Sequence, residues 1–158
     1  MNPSIYLGTR KGLFTVCKAG PRWEIADLAH IGEPVTMLLP RPKEGFILAC
    51  LTLGHFGTKL RRRDADSDNW KELGVPVFPE GSTMPAGPPT GDEPVATKPA
   101  SLSEIWSLEV GGENLSDVLW AGTIPGGLFR SDDAGQSWQL VSSLWNKPER
   151  LRWMGGGK

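Results

Sequence analysis

Short apolar runs recur along the chain, separated by polar turns that contain glycine, proline, asparagine or aspartate. Runs of this length, bounded in this way, are typical of β-strands and are too short for most helices. The pattern predicts strands joined by tight turns, at 4–9, 12–16, 22–27, 35–39, 46–52, 58–63, 70–73, 105–110, 118–123, 127–131 and 138–142. We therefore expect an all-β chain of antiparallel hairpins.

One predicted hairpin has a distinctive polar turn, Ser131-Asp-Asp-Ala-Gly-Gln-Ser-Trp138, which fits the pattern Ser/Thr-x-Asp-x-Gly-x-Ser/Thr-Trp. Side chains such as those of Ser131 and Asp133 can bond their own backbone a few residues further on and so fix a turn. Gly135 can supply a positive φ that a side chain would penalise. The ring of Trp138 can return to the core. We expect Ser131, Asp133, Gly135, Ser137 and Trp138 to be structural.

The same pattern recurs, which indicates a repeat array. Residues 12–25 match 127–140 without a gap at Gly, Leu, Phe, Ala, Gly, Trp and the final aliphatic position, and 5–9 match 119–123 just before. A weaker copy at 60–70 keeps the tryptophan and an acidic turn. We expect Trp23, Trp70 and Trp138 to occupy matching positions on the outer strands of successive sheets, in similar environments.

These residues resemble the Asp-box (BNR) repeat of sialidase-like β-propellers, and the chain is similar to uncharacterised bacterial members labelled sialidase-like or glycosyl-hydrolase-like. The resemblance implies four-stranded antiparallel blades with the box in the turn between the third and fourth strands. It assigns residues 4–27 to a first blade without its first strand, 35–73 to a second, 105–142 to a third, and 143–158 to the start of the next. In the family the box residues are structural.

A closed propeller has at least four blades. One blade takes about the 47 residues that separate Trp23 from Trp70, so 158 residues are too few for four, and the segments assigned above amount to about 2.5–3 blades. We therefore expect a single incomplete propeller domain with an unclosed ring. The remaining blades, from a longer chain or a partner chain, are the expected partners. Trp145, Trp153 and Met154 are the apolar residues expected to lack partners.

Residues 74–100 hold seven of the fourteen prolines and no apolar run of strand length. Proline has no backbone N–H for a sheet ladder, so this segment is predicted to be an inserted loop, mobile in part. A recognition lid is the alternative interpretation.

Composition narrows the function classes. The balance of 17 basic and 18 acidic residues argues against a general nucleic-acid binder. Cys17 and Cys50 form no disulfide framework or metal-ligand spacing. We expect no signal peptide, no membrane span, no metal and no cofactor, and a cytoplasmic location.

Candidate ligand contacts lie in the loops between the second and third strands of each blade. In propellers ligands usually enter at that end, where Arg10, Lys11 and His55 would form a positive, hydrogen-bonding rim for an anionic or carbohydrate ligand. The alternative is that they are solvated loop charges and a capping histidine. The run Arg61–Arg63 is interpreted as a solvated edge strand, because alternate strand residues face opposite sides.

Two functions remain open. The first is a non-enzymatic scaffold that binds a ligand or a protein. The second is the N-terminal part of a sialidase-like glycoside hydrolase acting on anionic sugars, which needs an arginine cluster and a tyrosine nucleophile with a glutamate partner. The only tyrosine, Tyr6, lies in a predicted strand, and no Arg-Ile-Pro motif precedes the first repeat. The scaffold is favoured, and no catalytic residue is assigned.

Overall fold

The computed structural model describes residues 4–91 and 93–153, and three antiparallel sheets dominate them. We call them blade 1, blade 2 and blade 3. Blade 1 is formed by β1 Ser4–Thr9, β2 Gly12–Ala19 and β3 Arg22–Ala29. Blade 2 is formed by β4 Val35–Arg41, β5 Phe46–Thr52, β6 Thr58–Asp64 and β7 Trp70–Leu73.

The second half of the chain contains a small hairpin and the third sheet. The hairpin is formed by β8 Thr83–Pro85 and β9 Thr97–Pro99. Blade 3 is formed by β10 Glu104–Val110, β11 Leu119–Ile124, β12 Leu128–Ser131 and β13 Gln139–Leu140. The helices are short: α1 Ser142–Trp145 and 3-10 turns at Gly54–Phe56 and Pro148–Arg152. The helices in the described part of the chain are too short to cross a bilayer.

Each blade is a meander in which strands adjacent in sequence are adjacent in the sheet. The innermost strand of blade 2, β4, contacts both β1 of blade 1 and β10 of blade 3. Successive sheets therefore stack side by side, with β4 between β1 and β10, which is the arrangement of propeller blades. The fold is all-β, a partial propeller whose ring this chain does not close.

Blade 2 is covered on both faces, which explains why β5 is an almost continuous apolar run. Ala49 and Leu51 face blade 1 in one core cluster, whereas Leu48 and Cys50 face blade 3 in a larger one. All four side chains are fully buried. A strand buried on both faces needs apolar residues at every position rather than at alternate ones.

The segment predicted as an inserted loop contains the β8–β9 hairpin and a buried anchor. Phe78 packs against Phe129 and Trp145, with ring centroids 5.1 Å and 4.9 Å apart. Pro85 and Pro99 pair with Thr97 and Thr83 in the two-stranded ladder. Proline is tolerated there because each strand of a two-stranded ladder has one unpaired edge.

Residues 143–153, which the sequence assigns to the start of the next blade, contain no strand in the structure. They are helical in part, and Arg150 donates to the carbonyl oxygens of Trp145 at 2.7 Å and Thr83 at 3.0 Å. Trp145 is 8% exposed, so the expectation that it lacks partners is wrong, because the 74–100 segment covers it. Trp153 is 52% exposed, and Met154 lies outside the described residues.

The arginine run is not on an edge strand, contrary to the sequence interpretation. It lies on β6, which pairs with both β5 and β7. Arg63 donates to Asp27 of blade 1 at 2.6 Å, while Arg62 lies on the opposite face over the Phe46 ring at 4.0 Å. Alternation along the strand thus divides the run between the two faces.

Gly74 is expected to be intolerant of substitution because it joins blade 2 to blade 3. Its carbonyl oxygen accepts the Trp138 indole N–H at 3.0 Å, and an added Cβ would overlap the carbonyl oxygen of Gln136. We predict that Gly74→Ala lowers the free energy of unfolding by about 1–3 kcal/mol, as overpacking does. Urea unfolding measures the change.

Gly87→Ala is the matched control, since nothing lies within 4 Å of an added Cβ at Gly87. Its stability should equal or slightly exceed that of the wild type. Equal stability of the Gly74→Ala and Gly87→Ala variants would contradict the close approach.

Candidate functional site

In the box turn of blade 3, the polar side chains form their hydrogen bonds within the turn itself. The Ser131 hydroxyl accepts the backbone N–H of Gly135 at 2.8 Å and that of Asp133 at 3.3 Å, and donates to Asp133 Oδ1 at 2.7 Å. The Asp133 carboxylate also accepts the backbone N–H and the hydroxyl of Ser137, at 2.9 Å and 2.6 Å. The residues that look most like catalytic groups are therefore bonded to one another.

Electrostatics and backbone geometry agree with this arrangement. Hydrogen bonds from the Ser137 hydroxyl and backbone, and from Ser131, lower the pKa of Asp133 to about 2. Ala134 and Gly135 both have positive φ, at 56° and 92°. Gly135 meets that requirement without strain, because it has no Cβ.

The box tryptophans show how the copies differ. Trp138 of blade 3 and Trp70 of blade 2 both contact the preceding blade: Trp138 donates to Gly74 O, and the Trp70 ring lies 4.4 Å from the His30 ring. Trp23 of blade 1 is 46% exposed. The expectation of similar environments is wrong for Trp23, because no sheet in the described part of the chain precedes blade 1.

The predicted ligand contacts lie in turns that the repeat makes equivalent. Blade 1 lacks a first strand, so its β1–β2 turn corresponds to the β5–β6 turn of blade 2. Arg10 and Lys11 form the β1–β2 turn, and His55 lies in the 3-10 turn between β5 and β6. All three are exposed. Because these turns occupy equivalent places in two meanders, they share one end of the sheets. Within residues 4–91 and 93–153, no hydrogen bond or ion pair joins their side chains to one another.

An apolar pocket of about 340 Å³ reaches the equivalent turn of blade 3. Its principal lining residues are Trp106, Leu128, Leu144, Trp145, Arg150 and Trp153. The Arg150 guanidinium lies 3.6 Å from the centre of the Trp145 ring, and burial lowers the pKa of Arg150. Concave apolar surfaces with one or two polar groups are typical of binding sites.

The sequence interpretation missed this pocket, although a signal for it existed. Of the seven tryptophans, four lie outside the box positions: Trp106, Trp120, Trp145 and Trp153. Their clustering after residue 105 hinted at a surface of blade 3. The two helical turns that bring Trp145 and Trp153 back to the sheet had no recognisable sequence pattern.

A second candidate is a polar cluster between blades 1 and 2. Arg61 donates to Glu33 at 2.7 Å and to His30 Nδ1 at 3.0 Å. Since Nδ1 accepts, we infer that the proton is on Nε2, which is buried without a partner among the described residues. The His30 side chain is 4% exposed. Burial, then the Arg61 charge, lower the pKa of His30, and Glu33 opposes them.

The tyrosine and the box carboxylates lie in different parts of the described residues. Tyr6 packs against the cluster between blades 1 and 2. The box carboxylates lie in a turn between third and fourth strands, at the end of the sheet opposite the β1–β2 type of turn. Within the described residues, no three His, Cys, Asp or Glu side chains form a group that could hold a metal ion.

Asp133→Ala should lower the free energy of unfolding by about 1–2 kcal/mol, the usual cost of losing a cap. Asp132→Ala is the control, because the Asp132 side chain is exposed and pairs with the exposed Arg130, and its loss should change stability by less than about 0.5 kcal/mol. Denaturant unfolding of the two variants measures both effects. Equal losses would show that the bonds within the turn contribute nothing.

The difference in unfolding free energy between wild type and Asp133→Ala should also depend on pH. A carboxylate with a lowered folded-state pKa stabilises the fold above its unfolded pKa of about 4, and this contribution is lost as the pH falls through the folded value. The difference between wild type and Asp133→Ala should therefore narrow as the pH is lowered from about 5 toward 2.

We expect the free energy of unfolding of the wild type to fall in mild acid because of His30. Because the folded-state pKa of His30 is lowered, its contribution is present above the unfolded pKa of about 6.5 and is lost as the pH falls below it. We expect His30→Asn, which tolerates the positive φ of 54°, to be less stable at pH 7 and to show a flatter stability profile between about pH 7 and 5. Thermal unfolding across that range tests this.

His55→Asn is the control for this profile, since His55 is the other of the two histidines and is exposed. It should retain the wild-type dependence on pH. If His55→Asn flattens the profile and His30→Asn does not, the cluster is not the source.

Comparisons with known proteins are sparse. No protein-family model matches the sequence, and no curated protein matches it. Among solved structures, the chain is similar to YCF48 bound to D1 peptide, with a TM-score of 0.48 and 16% sequence identity. The match covers 89% of this chain and 37% of the YCF48 chain. A likeness this distant indicates no function, and the fold assignment stands on the sheets of this chain.

Proposed function

We propose that this chain is a non-enzymatic propeller segment that acts as a binding scaffold. The observation that carries the proposal is the contrast between its two ends. The box carboxylate Asp133 is bonded within its turn. At the other end Arg10, Lys11 and His55 are exposed and have no side-chain hydrogen bond within the described residues. Such an end is suited to bind rather than to catalyse.

The chemistry of these loops favours an anionic or carbohydrate ligand. Arg10 can hold a carboxylate in two parallel hydrogen bonds, a geometry that the single ammonium of Lys11 cannot reproduce. His55 adds a ring nitrogen that can donate or accept. A sugar acid, which combines a carboxylate with several hydroxyls, is the class that uses all three groups.

Protein partners form the other part of the proposal. Blade 1 exposes large apolar side chains, including Ile25 at 60%, and extended apolar surfaces mark protein interaction sites. Further propeller blades, supplied by a longer chain or by a partner chain, are partners that such a surface fits.

Hydrolysis of sialosides is the rival function, and nothing in the arrangement of Tyr6 and the acidic residues favours it. Fold likeness alone does not carry activity. The scaffold proposal predicts no turnover of a fluorogenic sialoside. Turnover that is proportional to protein concentration and survives repurification would contradict it.

Binding should depend on Arg10. We expect calorimetric titration with N-acetylneuraminic acid to show binding that weakens about tenfold or more in Arg10→Ala, since hydrogen bonds to charged groups contribute about 1.5–3 kcal/mol. Glucose, which has no carboxylate, should bind more weakly than the acid.

Arg22→Ala is the matched control, because Arg22 is exposed at the opposite end, in the first position of β3. It removes the same charge without touching the proposed site. If Arg10→Ala and Arg22→Ala bind the acid equally well, Arg10 is a solvated loop residue and the ligand assignment fails.

A further inference from the structure

Blade 1 presents one face made almost entirely of apolar side chains. The register of β1, β2 and β3 pairs Ile5 with Val16, Leu7 with Phe14, Phe14 with Leu28, Val16 with Ile25, and Lys18 with Trp23. Directly paired residues share a face of an antiparallel sheet. We call this the open face of blade 1, formed by Ile5, Leu7, Phe14, Val16, Trp23, Ile25 and Leu28.

This face is exposed where its counterpart in blade 3 is buried. Five of its side chains are between 44% and 60% exposed. The repeat aligns Ile5 with Leu119, Leu7 with Ala121 and Phe14 with Phe129. Those three counterparts are 0–1% exposed, covered by blade 2. The strand register agrees with the alignment, since Ala121 pairs with Phe129 as Leu7 pairs with Phe14.

The blade 2–blade 3 contact shows what kind of surface is missing from blade 1. Blade 2 covers blade 3 with Leu48, Cys50 and Leu60, all fully buried. It also offers the carbonyl oxygen of Gly74 to the indole N–H of the box tryptophan. The occupant of the open face of blade 1 is therefore the far face of another blade, with a main-chain carbonyl in reach of Trp23.

Blade 3 of this same chain carries such a far face. Gly122 pairs with Leu128 and Trp120 with Arg130 on the side turned away from blade 2. Leu128 stands at the position that Leu60 holds in blade 2, since each precedes its box tryptophan by ten residues. We call this the open face of blade 3, formed by the exposed Trp106 and the half-buried Trp120, Gly122 and Leu128. Trp106, Gly122 and Leu128 also form one wall of the pocket of about 340 Å³, whose opposite wall includes Leu144, Trp145 and Trp153.

We propose that a second copy of this chain is the occupant, with the open face of blade 1 in one copy docked on the open face of blade 3 in the other. Two copies contribute six sheets, a number within the four-to-eight range of closed propellers. The reciprocal contact uses both open faces of both copies and closes with twofold symmetry. The pocket beside Leu128 offers space for a large side chain of the facing blade. This proposal is independent of the sugar-acid ligand.

The oligomeric state of the full chain tests the proposal. Sedimentation equilibrium at micromolar concentrations should give twice the chain mass of 17.2 kDa. Ile25→Lys places a charge in one open face, and Trp106→Lys places one in the other. Each variant alone should associate at least about tenfold more weakly, because an unpaired charge would be buried at the contact. Far-ultraviolet circular dichroism checks that both variants fold.

Mixing the two variants makes the test specific for the head-to-tail arrangement. Each variant retains one intact open face, and the two intact faces are complementary, so the mixture should form a heterodimer through a single contact. Ile31→Lys is the control, since Ile31 is 76% exposed but lies in the turn after β3, outside both faces. It should remain a dimer.

Three results would overturn the proposal. A monomeric wild type would mean that a different polypeptide supplies the covering blade. A dimer that survives Ile25→Lys would place the contact elsewhere. A dimer that survives Trp106→Lys but not Ile25→Lys would mean that the open face of blade 1 pairs with itself.

Discussion

Burial of sheet faces by neighbouring sheets is the constraint on which this structure depends. Each blade is only one sheet thick, so its apolar side chains can leave water only where another sheet covers them. Blade 2 meets this condition on both faces, and its β5 strand is apolar throughout. Blades 1 and 3 meet it on one face each. Within the described residues, blade 2 is thus the most completely buried sheet, and blade 1 leaves an apolar face exposed.

The box turn, unlike the buried sheet faces, is stabilised mainly by contacts between residues close in sequence. The Ser131 hydroxyl donates to Asp133 and accepts from the backbone N–H of Gly135, and the Ser137 hydroxyl donates to Asp133, all within one short loop. Such a turn forms from local sequence, and its tryptophan then connects it to the rest of the molecule. Trp138 reaches Gly74, at the end of the preceding blade. The repeat therefore contains both a local device that closes the hairpin and a long-range contact that joins one blade to the next.

The polar contacts between blades follow from the same stacking. Arg61 and Arg63 project from β6 toward blade 1, where Glu33 and Asp27 meet them. His30 is enclosed in this group, where burial and the Arg61 charge lower the pKa of its ring. Charges at these positions give the contact between blades 1 and 2 an orientation that apolar packing alone does not specify. The charged groups there are engaged in structure, whereas Arg10, Lys11 and His55 of the end loops have no side-chain hydrogen bond within the described residues.

The sequence by itself determined the strands of the three blades, their pairing and the box turn, because each depends on residues close together in the chain, whereas the β8–β9 hairpin within residues 74–100 was not predicted. Alternating or continuous apolar runs between Gly-rich turns specify hairpins, and the match of 12–25 to 127–140 specified the blade repeat. The exposed loop positions of Arg10, Lys11 and His55 also followed from strand order, although their role remains a prediction. Only the tertiary structure decided what each equivalent position touches. Trp23 and Trp138 have matching places in the repeat, but one is exposed and the other is bonded to Gly74, because burial depends on the neighbouring sheet. The burial of Trp145 under residues 74–100 and the pocket on blade 3 were hidden for the same reason: they arise from contacts between segments far apart in sequence, which no local pattern records.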